Sequence, residues 1–166
     1  MPADVGYHLA AFGRGINDVW RAHQGRTAEA VPIEEYTDHY ADTLTTLATR
    51  ARRVVCVLEA PFGLVAEPET VAAMNTDLAR YNQAAARCAA VAGVPFIDIW
   101  TPFTETARTL ASQRPGNTPS LWSDGVRLSD LGVAILAGQI ETHLHEHRLV
   151  EQLQPQSPPA VIRQSG

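Results

Sequence analysis

The sequence predicts an α/β fold, a three-layer sandwich around a short parallel sheet, and three observations carry that expectation. Short apolar or β-branched runs at 5–12, 54–58 and 94–100 alternate with longer segments whose apolar residues recur at three and four. The intervening segments are long enough to cross between parallel strands, and such alternation builds sheets covered on both faces. At 166 residues the chain fits one domain, in which folding buries roughly 70% of the unfolded chain's surface.

The first strand is expected within VGYHLAAF, residues 5–12, ahead of a turn at Gly13 to Gly15. From about Ile33 to Arg52, Tyr36, Tyr40, Leu44 and Leu47 follow the helical period, with Pro32 near the start. Val54 to Leu58 is a compact β-branched run closed by Ala60-Pro61, as a strand covered on both faces should be. Glu69 to Ala92 is alanine-rich, places Val71, Met74, Leu78, Tyr81 and Ala85 on one face, and ends at Gly93. VPFIDIW, residues 94–100, follows as the third strand. A short helix is expected over 101–113, a loop over 114–123, and a last helix from Leu131 to Val150 capped by Ser129 or Asp130. The domain is placed at 1–150, with the Pro-rich tail 151–166 expected to be disordered.

Composition narrows the function classes. A chain 45% hydrophobic and 19% charged belongs with ordinary globular domains rather than disordered or fibrous ones. All 13 basic residues are arginines scattered along a chain of net charge −5, so no nucleic-acid partner is expected. No window approaches eighteen uninterrupted apolar residues, so no membrane span is expected. As written, MPADVGYH has no basic leader or long apolar stretch, which places the chain in the cytoplasm. Cys56 and Cys88 sit in apolar surroundings and read as buried free thiols.

Open α/β sheets bind ligands beyond the carboxyl ends of their strands. Asn17-Asp18, Glu59 to Phe62 and Asp98 to Trp100 all fall at such ends. An asparagine amide there is a fixed N–H donor that can stabilise an oxyanion, and Asn-Asp also makes turns by bonding neighbouring backbone. A second constellation, LWSDGVRLSDLG from Leu121 to Gly132, precedes the last helix. Asp124 and Arg127 within it are spaced for a charge-assisted pair. Ser120, Ser123 and Ser129 flank Asp124 and suit loop and capping duty. Trp20, Trp100 and Trp122 border the rim, as pocket walls or as packing. His143 and His147, four apart near a helix end, lack a clear third ligand, so neither metal nor cofactor is expected.

These pieces, in this order, carry a resemblance. GINDVWR resembles the Gly-x-Asn-Asp block of the SGNH (GDSL-type) hydrolases, and DGVRLSDLGVAILAGQI resembles their last block, Asp-x-x-His followed by a helix. VVCVLEAPFGL and YNQAAARCAAVAGVPFIDIW are similar to the middle of lysophospholipase-like and carbohydrate-esterase-like members, so the likeness spans about residues 15–148. The resemblance implies an esterase acting on ester or acetyl groups of a lipid or sugar. It implies Gly15 and Asn17 for the oxyanion hole, Asp124 as the histidine-orienting aspartate, and Asp18, Trp20 and Trp122 around a pocket.

Departures from the pattern are as definite. The chain contains no Gly-Asp-Ser, the family's nucleophile block, and Arg127 stands where the family has its general-base histidine. A guanidinium stays protonated at ordinary pH and cannot accept the serine proton. The resemblance therefore implies an SGNH (flavodoxin-like) sheet of order 2-1-3-4-5 reduced to 3-4-5, truncated ahead of its third strand. Two outcomes are expected. One is an inactive or incomplete esterase relative, a pseudoenzyme. The other is a non-catalytic binding module that pairs, as a homodimer or with another chain, through the sheet edge at 5–12.

Overall fold

The computed structural model describes residues 6–64, 66–113 and 120–149. The expectations for the tail 151–166 and for most of the 114–123 loop fall outside these residues. Three parallel strands form the sheet in the order β1 (Ala10–Phe12), β2 (Val54–Val57) and β3 (Phe96–Ile97). Ala10 to Phe12 stand opposite Val54 to Cys56, and Cys56 and Val57 opposite Phe96 and Ile97. Between and after them lie α1 (Ile16–His23), α2 (Ile33–Arg50), α3 (Pro68–Val91), α4 (Trp100–Gln113) and α5 (Asp130–Glu146).

The strand β2 shows why the fold has three layers. Val54 and Cys56 bury into a cluster with Tyr36, Tyr40 and Leu44 of α2 and Ala84, Ala85 and Ala89 of α3. Val55 faces the other way, into a cluster with Ile97, Ile99, Phe103 and Leu121 that Ile135, Leu136 and Ile140 of α5 cover. Successive side chains of a strand point to opposite faces, so an all-apolar run needs helices on both. The alanines of α3 let that helix lie close to the sheet. A third cluster of Val19, Phe62, Val71, Met74 and Leu78 closes the end of the sandwich beyond the strand termini.

The helices expected over 33–52, 69–92 and 101–113 appear at those places, and Gly93 leaves α3 with a φ of 65°. Four details differ. The first strand is three residues long with an isolated bridge from Tyr7 to Ala51, because Gly13 ends pairing where an added Cβ would stand 2.4 Å from the Val57 carbonyl. The third strand shrinks to two residues because the Asp98 carboxylate already accepts the N–H groups of Trp100 and Thr101 and starts α4. The last helix is a turn shorter, ending at Glu146, with Ser129 as its cap through the Gly132 N–H at 3.2 Å. Helix α1 was not foreseen, since eight residues offer too few turns for a helical period to emerge. Cys56 is buried and Cys88 partly so, both as free thiols. No described helix is long and apolar enough to cross a membrane.

Candidate functional site

The turn from β1 into α1 is built around one backbone angle. Gly15 has a φ of 133°, a region closed to residues with a Cβ. The turn is held from two helices. Tyr36 Oη of α2 donates to the Arg14 carbonyl at 2.8 Å, and Asp18, only 6% exposed, accepts the Val31 N–H at 3.1 Å. Tyr81 Oη of α3 donates to the Val31 carbonyl at 2.7 Å, which ties that same segment to the third layer member. The Arg14 guanidinium lies 4.0 Å from Asp18 and over the Tyr36 ring. The N–H groups of Asp18 and Val19 both return to the Gly15 carbonyl, which leaves those of Ile16 and Asn17 outside the helix's own ladder. Asn17 itself is exposed, and its side-chain amide has no hydrogen-bond partner among the described residues.

The exit from β2 is fixed by two asparagines of α3. The Asn82 amide accepts the Glu59 N–H and donates to the Glu59 carbonyl, both at 2.9 Å. Seven residues earlier on the same face, Asn75 accepts the Phe62 N–H at 2.7 Å and donates to the Phe62 carbonyl at 3.2 Å. Each amide imitates a strand neighbour for a backbone that has left the sheet. The Glu59 side chain so positioned is half-buried. Burial pushes its carboxyl up to about 7 and the nearby Asp18 adds to that, while the Ile16 backbone N–H favours the charged form. Burial also raises the Tyr36 and Tyr40 phenols, with the Glu59 charge contributing to both.

The loop before α5 is closed on itself. Asp124 Oδ1 accepts the N–H groups of Val126 and Arg127 at 3.0 and 2.6 Å, and Oδ2 accepts from the Arg127 guanidinium at 2.6 Å. Those backbone donors first, and the guanidinium with them, hold the exposed Asp124 carboxyl below its usual range. The serine hydroxyls are committed to the same loop. Ser120 donates to the Trp122 carbonyl, Ser123 to that of Arg127 and Ser129 to that of Ser120. The loop is laced to the β2 exit by the Gly63 N–H on the Gly125 carbonyl at 2.7 Å and by Trp122 Nε1 on the Pro61 carbonyl at 2.9 Å. Gly63 must lack a Cβ, because one would stand 2.7 Å from the indole ring. Beside this junction lies a cavity of about 650 Å³, with Phe62, Leu64 and Trp122 as apolar wall and Ser123 and Asp124 as polar rim.

The structure brings together Asp124 and Trp122 around one cavity, with Arg127 bonded to Asp124 but outside the cavity lining, and Gly15, Asn17 and Asp18 around one turn. Gly15 and Asn17 do not line that cavity, and the link between the two groups is apolar, Ile16, Trp20 and Val126 packing on one cluster. Trp20 and Trp100 pack in that cluster rather than on the cavity wall. His143 and His147 stack at 4.2 Å, and no group of three or more metal-ligating side chains occurs among the described residues. Sequence reasoning placed Glu59 at the rim without singling it out, and it passed over Asn75 and Asn82. Two asparagines seven apart on the inner face of an alanine-rich helix were the available signal.

Known proteins share this fold. The model of the GDSL-like Lipase/Acylhydrolase family matches residues 6–135. Axe2, an acetylxylan esterase from Geobacillus stearothermophilus, superposes with a TM-score of 0.66 at 22% identity, over 84% of this chain and 58% of that one. LAE5, an alpha/beta hydrolase enzyme from the metagenome of Lake Arreo, Spain, superposes with a TM-score of 0.64 at 21% identity, over 89% of this chain and 61% of that one. The chain thus spans about three fifths of the length of these structures, and at such identities the likeness is one of fold. No curated protein sequence matches the chain. With a family model matching residues 6–135, most of its length, the chain belongs to the GDSL-like lipase/acylhydrolase family.

Proposed function

We propose that this chain descends from esterases that cleave ester or acetyl-ester bonds on carbohydrate or lipid, and that by itself it retains oxyanion-binding elements without the means to start the reaction. In an intact relative a serine attacks the ester carbonyl, a histidine takes its proton, and N–H donors stabilise the tetrahedral oxyanion. Asn17, through its exposed side-chain amide and a backbone N–H outside the helix's own ladder, suits the last of these tasks. The observation that carries the proposal is the Asp124–Arg127 pair. Its guanidinium, which by the resemblance stands at the position of the base, is bound to Asp124 at 2.6 Å and cannot accept a proton. The loop serines are bonded to backbone carbonyls, with no histidine among their partners in the described residues. Axe2 is named for an acetylated carbohydrate, and that is the substrate class we assign to intact relatives of this chain.

The test is turnover of p-nitrophenyl acetate by the purified chain, with Asn17→Ala as control and a fluorophosphonate probe for any reactive serine. Background turnover and no adduct are expected. Robust, asparagine-dependent turnover or a labelled serine overturns the proposal.

One observation favours a second function, association with a second copy. The Ala10 N–H goes to the Arg53 carbonyl, so in a parallel pair the Ala11 N–H points away from β2, along an edge that has no neighbouring strand among the described residues. Self-association that weakens in an Ala11→Pro variant is its signature.

A further inference from the structure

The helical layer that covers β2 stops short of β3. Phe96 stands opposite Cys56 in the parallel register, so both side chains point to the face that α2 and α3 cover. Cys56 is fully buried there, yet Phe96 is 42% exposed. Helix α3 offers Phe96 only the methyl groups of Ala79 and Ala86, two turns apart, which are too short to close over a phenyl ring. What remains is a cavity of about 260 Å³ beyond the carboxyl ends of β2 and β3, with Leu58, Phe96 and Trp100 as its apolar wall. Trp100 is fixed by packing on the cluster of Val19, Phe62 and Met74. Among the described residues this cavity shares no lining with the one beside Trp122.

The rest of the lining is polar and largely unspent. Gln83, between the two alanines, carries an amide with no hydrogen-bond partner among the described residues, and the same holds for the Trp100 indole N–H. Asp98 Oδ1 accepts the N–H groups of Trp100 and Thr101 at 2.9 and 3.4 Å, and Oδ2 accepts the Thr101 hydroxyl at 2.8 Å. Of the described lining residues Asp98 alone is charged, and the start of α4 offsets that charge through these donors. The cavity thus offers no cationic group to an anion. A cation would meet a carboxylate already engaged and would leave the amide and indole donors idle. Donors and acceptors beside aromatic rings suit a neutral ring edged with hydroxyls, which lays its C–H face on the aromatic wall and bonds the polar rim through its oxygens. The volume falls below the roughly 300–1,000 Å³ of pockets for larger ligands, which limits the occupant to one such ring. We propose that this notch binds a single neutral sugar ring, with Phe96 and Trp100 as the apolar platform and Gln83 and Asp98 as partners for its hydroxyls. The assignment needs no nucleophile and does not depend on the esterase lineage.

The experiment titrates the isotope-labelled full chain with methyl β-D-glucopyranoside and follows the indole N–H signals of Trp100 and Trp122 and the side-chain amide of Gln83. Saturable shifts at Trp100 and Gln83 with one shared dissociation constant are expected, with Trp122 unmoved. Phe96→Ala is expected to weaken binding about tenfold, and Gln83→Ala to weaken it measurably. No saturable shift at any soluble concentration, or shifts confined to Trp122, overturns the assignment. So does an equal response to cyclohexanol, which would make the polar rim idle, or to tetramethylammonium, which would make the site one for cations. If Phe96→Ala does not fold, Gln83→Ala on the exposed flank of α3 decides, and an unchanged affinity in that variant overturns the assignment. Ester turnover plays no part in these readouts, so failure here is distinct from failure of the esterase lineage proposal.

Discussion

At the scale of single residues, the site depends on two positions that tolerate little. Gly15 is needed for its φ of 133° and for the closeness of Tyr36, whose Oη would lie 3.4 Å from an added Cβ. Gly15→Ala is expected to destabilise the fold by roughly 1–3 kcal/mol, the usual strain of a side chain in that region, measured by urea unfolding. Glu59 has the opposite character, since its charge rather than its shape is under strain. Its carboxyl is pushed up to about 7 in the folded chain, above an unfolded value near 4.3. Between those limits the unfolded chain gives up a proton that the folded chain keeps. Stability is therefore highest below about pH 4.3 for this group, falls as pH rises toward 7, and is level above it, by a total on the order of 3 kcal/mol. Glu59→Gln is expected to flatten that slope and to be more stable than wild type at pH 8, checked by denaturation midpoints at pH 5 and 8.

At the scale of elements, α3 organises the site more than any strand does. Its outer stripe is ordinary, but its inner stripe carries Asn75 and Asn82, two turns apart, each completing the backbone of the β2 exit. Asn82→Ala leaves the Glu59 N–H and carbonyl without partners in a buried setting. The expected loss is roughly 2–3 kcal/mol by equilibrium unfolding, with a larger effect on the Glu59 titration than on distant amides. The elements themselves were unequally legible. The long helices α2 and α3 and the strand β2 were readable because their patterns repeat several times. The eight residues of α1 were not, because a single buried valine and a glycine cap carry no period. The Asp124–Arg127 pair was legible because both charges lie within one short loop. The lacing of that loop to Pro61 and Gly63 was not, because it joins segments some sixty residues apart.

At the scale of the whole molecule, three short parallel strands sit between helical layers, with β1 and β3 as the two edges. Edge strands present unpaired backbone groups, and β1 presents them beside the exposed Ala11. Size-exclusion light scattering is expected to show association that grows with concentration, and Ala11→Pro is expected to shift it toward monomer. A concentration-independent monomer counts against pairing through β1.

The sequence by itself determined the α/β class, the alternation of elements, the order of the two family-like blocks, and the absence of a Gly-Asp-Ser and of a histidine at position 127. All of these are local patterns or residue identities, set by periodicity and side-chain chemistry within a few turns. Only the tertiary structure decided that Asn17 stays exposed while Asp18 is buried, and that the Trp122 cavity and the Asn17 turn are separate. It also decided that Glu59 sits in a desolvated corner beside Asp18, gripped by Asn82. The physical reason is that burial and the field at a charged group are sums over neighbours distant in the chain, and no local pattern records which neighbours those will be.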